Sequence, residues 1–149
     1  MESQLGELLL RQKLTLSIAE SCTAGGISSR ICMSPGSSSY FMGGIVCYST
    51  RSKVRDLNIS EEDIDIYSEV SSEIAEHMAI SVREKFQTDI GIATTGYAGP
   101  EGKKVGQVFI ALSNARSTIV KEYMFRGERK MICDDAVQAA LDMLLSEIK

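Results

Sequence analysis

The stretch Ala19-Glu20-Ser21-Cys22-Thr23-Ala24-Gly25-Gly26 follows an apolar run, Leu14 to Ala19, and replaces it with small hydroxyl, thiol and glycine residues. A short apolar strand that stops in such residues and turns into a helix is how an α/β fold presents a nucleophile. With the strand ending at Ser21 and a helix beginning near Thr23, the hydroxyl lies beside backbone N–H groups that have no helical partner. Such groups can stabilise an oxyanion or bind phosphate.

Outward from this turn, helix and strand periodicities alternate along the whole chain. Residues 2–13 carry leucines at helical spacing, 14–19 read as a strand and 23–33 as a helix stopped by Ser34-Pro35-Gly36. Ser37 to Tyr40 is expected to form a short turn, Gly43 to Tyr48 a buried strand and Ser52 to Leu57 a short helix. Ser60-Glu61-Glu62-Asp63 opens another helix with the hydroxyl and acids suited to an N-terminus, and Ser71 to Phe86 is a long amphipathic one. Ile90 to Thr94 is the next strand, followed by the glycine-rich turn Thr95-Gly96-Tyr97-Ala98-Gly99-Pro100. Residues 105–112 and 118–125 read as a β-hairpin, and Glu128 to Ile148 as a closing helix. Long crossovers make part of the sheet parallel and the hairpin adds antiparallel strands, so the expected fold is α/β, a mixed, largely parallel sheet with helices on both faces. In such sheets ligands bind beyond the carboxyl ends of the parallel strands. The loops at 21–26, 48–53 and 95–100 all fall there, so serine, tyrosine, lysine and threonine are expected around one crevice.

The chain has 149 residues, 44% of them hydrophobic and 24% charged, which suits a single domain over 1–149 with one sizeable core. A formal charge of −4 and the lack of any Lys/Arg run argue against a nucleic-acid partner. No segment approaches the roughly 20 apolar residues of a membrane span, and the acidic N-terminus is unlike a signal peptide, so a cytoplasmic protein is expected. Cys22, Cys32, Cys47 and Cys133 show no C-x-x-C pairing and no neighbouring histidine, which suggests reduced thiols and no metal site.

The second informative stretch, Val46 to Lys53, supplies the phenol of Tyr48 and the amine of Lys53. The only histidine, His77, falls in an amphipathic pattern with Ile74, Met78 and Val82, which leaves no imidazole for a Ser-His-Asp arrangement. A serine nucleophile would then need another base, and a desolvated lysine is the usual substitute. Lys53 is the candidate, although beside Arg51 and Arg55 it also reads as an ordinary solvated helix residue. Cys22 could replace Ser21 as nucleophile; read as a small buried hydrophobe, it leaves that role to the serine.

Several dispersed segments resemble one family. Ala19-Glu20-Ser21-Cys22-Thr23, Pro35-Gly36-Ser37-Ser38 through Phe41, Gly44 to Lys53, Val70-Ser71, and Thr95-Gly96-x-Ala98-Gly99-Pro100 followed by Val105-Gly106 are similar, in order, to the C-terminal domain of the CinA competence/damage-inducible proteins. That family includes nicotinamide mononucleotide deamidases. The resemblance implies a three-layer α/β/α sandwich that hydrolyses nicotinamide mononucleotide to nicotinate mononucleotide and ammonia, without metal or cofactor. Ser21 matches the nucleophilic serine, and Tyr48 and Lys53 match the residues that activate it. N–H groups from Cys22 through Thr23 to Gly25 would hold the oxyanion, a helix N-terminus or the Gly36-Ser37-Ser38 turn the phosphate, and Thr95 and Gly96 would border the ribose or pyridine.

Two departures from the family pattern stand out. The loop between Pro100 and Val105 is only Glu101-Gly102-Lys103-Lys104, which shortens the rim of the expected site. The family's Gly-Asp-Arg is Gly127-Glu128-Arg129 here, with Cys133 where a further arginine often stands, leaving Arg129 as the anion-binding candidate or simply a charge in the first turn of the last helix. Longer members carry an additional N-terminal nucleotide-processing domain, so the chain is expected to be a stand-alone deamidase or one domain of such a protein. Alternatives from other classes are a noncatalytic nucleotide-binding module and an amidase for a different amide. An exposed apolar turn expected at Tyr40-Phe41-Met42 suggests a homodimer or larger homo-oligomer.

Overall fold

A computed structural model describes residues 1–149. Leu5 and Leu9, one helical turn apart, bury the inner face of α1 (Glu2–Gln12), which stops at Lys13 in the left-handed region. The chain then enters β1 (Leu16–Glu20), α2 (Gly26–Cys32), a 3₁₀ turn at Ser37–Ser39 and β2 (Phe41–Val46). Three helices follow, α3 (Thr50–Leu57), α4 (Glu61–Tyr67) and α5 (Ser72–Phe86), each begun by a serine, Ser49, Ser60 or Ser71, whose hydroxyl accepts a backbone N–H of the first turn. β3 (Ile90–Gly96), β4 (Gln107–Ser113), β5 (Thr118–Met124) and α6 (Arg129–Ile148) complete the chain.

The strands form one mixed sheet in the order β2-β1-β3-β4-β5. β1 pairs in parallel with β2 and β3, whereas β4 runs antiparallel to both β3 and β5. Successive side chains of a strand point to opposite faces, and the burial follows that period. Ile18, Ile92 and Ile110 join Leu5, Leu9, Ile27, Leu141 and Leu144 under α1, α2 and α6. Ala19, Ala93 and Ala111 join Leu57, Met78 and Val82 under α3, α4 and α5. Each large aliphatic side chain so buried contributes about 1.5–3 kcal/mol relative to exposure, so the two layers clamp the sheet between them. The small residues on the second face let α5 come close: a Cβ at Gly91 would lie 2.3 Å from the carbonyl oxygen of Ala79. The result is the expected three-layer α/β/α sandwich.

Three local expectations are corrected. The helix after β1 begins at Gly26 rather than near Thr23, because Ala24 (φ 48°) and Gly25 (φ 95°) are left-handed and make 21–26 a separate turn. β2 is not buried along its length; as the edge strand its residues alternate between half-buried and exposed, and it starts at Phe41. Tyr40, expected at an exposed apolar turn, is 2% exposed, because it packs into the α1 and α2 layer with its ring against Gly6. No helix is long and apolar enough to cross a membrane.

Candidate active site

Because β2, β1 and β3 are mutually parallel, their carboxyl ends lie on one edge of the sheet, with Glu20 level with Val46 on one side and Thr94 on the other. The residues immediately beyond those ends, Ser21, Tyr48 and Thr95 to Gly99, line one cleft of about 360 Å³, together with Lys53, Glu69, Val70, Glu101 and Arg129.

Ser21 is held by the backbone of the turn. Its N–H donates to Thr94 O at 3.1 Å, extending the β1–β3 ladder by one residue, and its carbonyl accepts from Ala24 N at 3.1 Å. The N–H groups of Cys22, Thr23 and Gly25 make no hydrogen bond within the chain, so they remain free donors in the turn that carries the hydroxyl. What fixes the turn is Glu20, buried to 1% exposure just behind Ser21. Its Oε1 accepts from Thr23 Oγ1 at 2.6 Å and Ile27 N at 2.9 Å, and its Oε2 from Ser28 N at 2.9 Å and Ser28 Oγ at 2.7 Å. The carboxylate thus takes two of the orphan N–H groups at the start of α2, where the helix dipole also favours negative charge.

Lys53 comes from α3, one helical turn before Leu57, and both face inward. A cation in the place of a core residue needs a partner. At 2% exposure, Lys53 Nζ donates to Ser21 Oγ at 3.1 Å and lies 3.8 Å from Glu69 Oε1. The reading of Lys53 as a solvated surface residue is therefore corrected. Glu69, in the link between α4 and α5, is held by the Thr50 hydroxyl on its Oε1 and by Thr95 Oγ1 donating to its carbonyl oxygen at 2.8 Å.

At the mouth, Arg129 opens α6 and donates through Nη2 to Tyr48 Oη at 2.5 Å and through Nη1 to the carbonyl of Gly99. Tyr48 is 54% exposed and has no hydrogen bond to Ser21 or Lys53. Gly99 adopts φ 80° and a Cβ there would lie 2.6 Å from Val105, so glycine is required where the loop turns over the cleft. Cys22 lines the cleft floor but belongs to the apolar core, where burial pushes its thiol up to about 12. A thiol held protonated is a poor nucleophile, in keeping with the buried-hydrophobe reading.

The structure therefore brings together Ser21, Cys22, Tyr48, Lys53, Thr95, Gly96 and Arg129. It does not bring Thr23, whose hydroxyl turns away to Glu20 and to Thr94 Oγ1 at 2.8 Å, nor the side of Gly25, which heads α2. Gly36, Ser37 and Ser38 lie before β2, at the amino-terminal edge of the parallel strands, and do not line the cleft of their own chain. A phosphate bound at that turn would be at the opposite end of the sheet from Ser21, which corrects that placement. Sequence reasoning passed over Glu69, although it immediately precedes the Val70-Ser71 segment, and Tyr97, which follows Gly96 in the noted turn.

Comparison with known proteins agrees along the whole chain. The family described as the CinA C-terminal domain matches residues 1–148. A CinA-like protein of Flavobacterium psychrophilum is 45% identical over 99% of this chain, and a putative competence-damage inducible protein of Clostridium kluyveri is 43% identical over 99%. The chain spans 36% and 37% of the length of those two relatives. Among solved structures, the competence or damage-inducible protein of Enterobacter asburiae superposes with a TM-score of 0.96 at 32% identity, covering 99% of this chain and 96% of that one. The corresponding protein of Agrobacterium tumefaciens gives 0.92 at 28% identity, over 97% and 93%. A match in sequence from end to end and a common fold place this chain in the CinA C-terminal domain family.

Proposed function

We propose that this domain is a nicotinamide-nucleotide amidase, hydrolysing nicotinamide mononucleotide to nicotinate mononucleotide and ammonia. The observation that carries the reading is the buried contact of 3.1 Å between Lys53 Nζ and Ser21 Oγ, in a cleft of nucleotide-fragment size. Amide hydrolysis needs a nucleophile, a base that later protonates the leaving amine, and a stabiliser for the oxyanion. In this reading Lys53, in its neutral form, takes the proton as Ser21 Oγ attacks the carboxamide carbon. The free N–H groups of Cys22 and Thr23 receive the developing oxyanion, and Lys53 returns the proton to the departing ammonia. Water, activated by the same lysine, then releases the acid and restores Ser21. Arg129, anchored on Tyr48 and Gly99, is the cation at the mouth suited to the phosphate.

Phosphate binding at that remote point would be used to align the carboxamide, so a truncated substrate should lose kcat as well as affinity. The test is steady-state ammonia release from nicotinamide mononucleotide, its riboside and free nicotinamide. The expected result is kcat/KM greatest for the mononucleotide. Equal values for all three would remove the phosphate subsite, and tight nucleotide binding with no release from any would make the domain a noncatalytic nucleotide-binding module.

A further inference from the structure

Glu69 is the one carboxylate beside the reacting pair that is not saturated. Its Oε1 meets Lys53 Nζ at 3.8 Å, an ion-pair contact longer than a hydrogen bond, and its side chain, 41% exposed, lines the cleft. It is nevertheless held in place, by the Thr50 hydroxyl at the carboxylate and by Thr95 at its own backbone carbonyl. A positioned carboxylate with open lone pairs calls for a cation. The other charges lining the cleft are Lys53 and Arg129, which suit anionic groups, and Glu101 on the rim, which has no hydrogen-bond partner.

Nicotinamide mononucleotide carries its reactive carboxamide directly on a pyridinium ring, which bears a full positive charge. For attack, the carboxamide carbon must come to about 3–3.5 Å from Ser21 Oγ. The ring bonded to that carbon then enters the space around Ser21 in which Lys53 and Glu69 stand. We infer that Glu69 is a specificity-determining residue that accepts the cationic pyridinium ring and so favours an oxidised, charged nucleotide over one with a neutral ring. This rests on the amidase reading and adds the charge of the ring to it. A carboxylate and a ring cation in a partly desolvated cleft attract more strongly than in bulk water, and a neutral dihydropyridine of nearly the same shape gains nothing from the charge.

The probe is a pair of ligands, nicotinamide mononucleotide and its reduced form, which share phosphate, ribose and carboxamide and differ in ring charge. Calorimetric Kd values are measured on Ser21→Ala, which holds the ligand without turnover, and on Ser21→Ala/Glu69→Gln. Ammonia release by the wild-type protein and by Glu69→Gln is followed alongside. Glutamine keeps the size of the side chain and an acceptor for Thr50. The expected result is a preference of about fivefold to tenfold for the oxidised nucleotide that falls to within about twofold in Glu69→Gln, with binding of the reduced form unchanged. Glu69→Asp should restore part of the preference. An unchanged preference, or equal weakening of both ligands as expected if Glu69 merely positions Lys53, would overturn the inference while leaving the amidase intact. Absence of ammonia release and of nucleotide binding in the wild-type protein would instead overturn the amidase reading, and this inference with it.

Discussion

One carboxylate and one amine are buried beside Ser21, and they are treated in opposite ways. Glu20, on the α2 side of the turn, accepts four hydrogen bonds from three residues. Lys53, reaching in from α3, donates one, to Ser21 Oγ, and otherwise has only the longer contact to Glu69. A buried polar group whose capacity is filled locks its surroundings, and removing it strands every partner. A buried amine with a single hydrogen bond keeps free capacity to exchange a proton with the group it touches. In the proposed mechanism the saturated residue is scaffold and the unsaturated one is the base, so the two should fail differently when replaced.

The largest expected effect is on turnover. Lys53→Met keeps the length and fills the buried slot with an apolar chain, so ammonia release should fall by about 10²–10⁴, the usual contribution of a general base. Urea unfolding of the same variant should move by less than about 1 kcal/mol, because methionine fills the slot and the partner left behind, Glu69, is 41% exposed and stays solvated. Near wild-type turnover in Lys53→Met would remove the lysine from the mechanism.

The next effect falls on stability. Glu20→Ala leaves Ile27 N, Ser28 N and two hydroxyls without their acceptor, and should lower the unfolding free energy by about 3 kcal/mol in urea titration. A variant as stable as wild type would show that the turn does not depend on this carboxylate. The smallest effect belongs to Thr23→Val, which deletes a single hydroxyl shared between Glu20 and Thr94 while keeping the branched shape. A loss of about 1–2 kcal/mol with most of the turnover retained is expected. Loss of turnover greater than in Lys53→Met would place Thr23 in the reaction rather than in its scaffold.

Much of this was legible from residues alone, and the limits have physical causes. Alternating helix and strand periods gave the layer order, and long crossovers between β1, β2 and β3 required parallel pairing, which in turn gathers the loops after three strands. That is why sequence alone places Ser21, Tyr48, Lys53 and Thr95 together. α2 starts three residues later than its sequence indicates because nothing in Thr23-Ala24-Gly25 announces that Ala24 will adopt a left-handed backbone, a conformation a non-glycine residue takes only when its surroundings impose it. The phosphate placement at the Gly36-Ser37-Ser38 turn came with the family resemblance, and motif likeness says nothing about which end of a strand a turn adjoins. Glu20 looked like one acid in a motif, and its role follows from α2 folding back over it. Glu69 lies in a link between helices, where hydrophobic periodicity carries no information about which side chains meet a distant strand end.

The central claim is that Ser21, not its neighbour Cys22, forms the bond to the substrate, and ammonia release from nicotinamide mononucleotide by Ser21→Ala and Cys22→Ala tests it most directly. Burial holds the Cys22 thiol up at about 12, so its removal costs packing and not the nucleophile. The expected result is a loss of at least about a thousandfold in Ser21→Ala, as for removal of a catalytic nucleophile, with most activity kept in Cys22→Ala. An active Ser21→Ala beside an inactive Cys22→Ala would contradict the account.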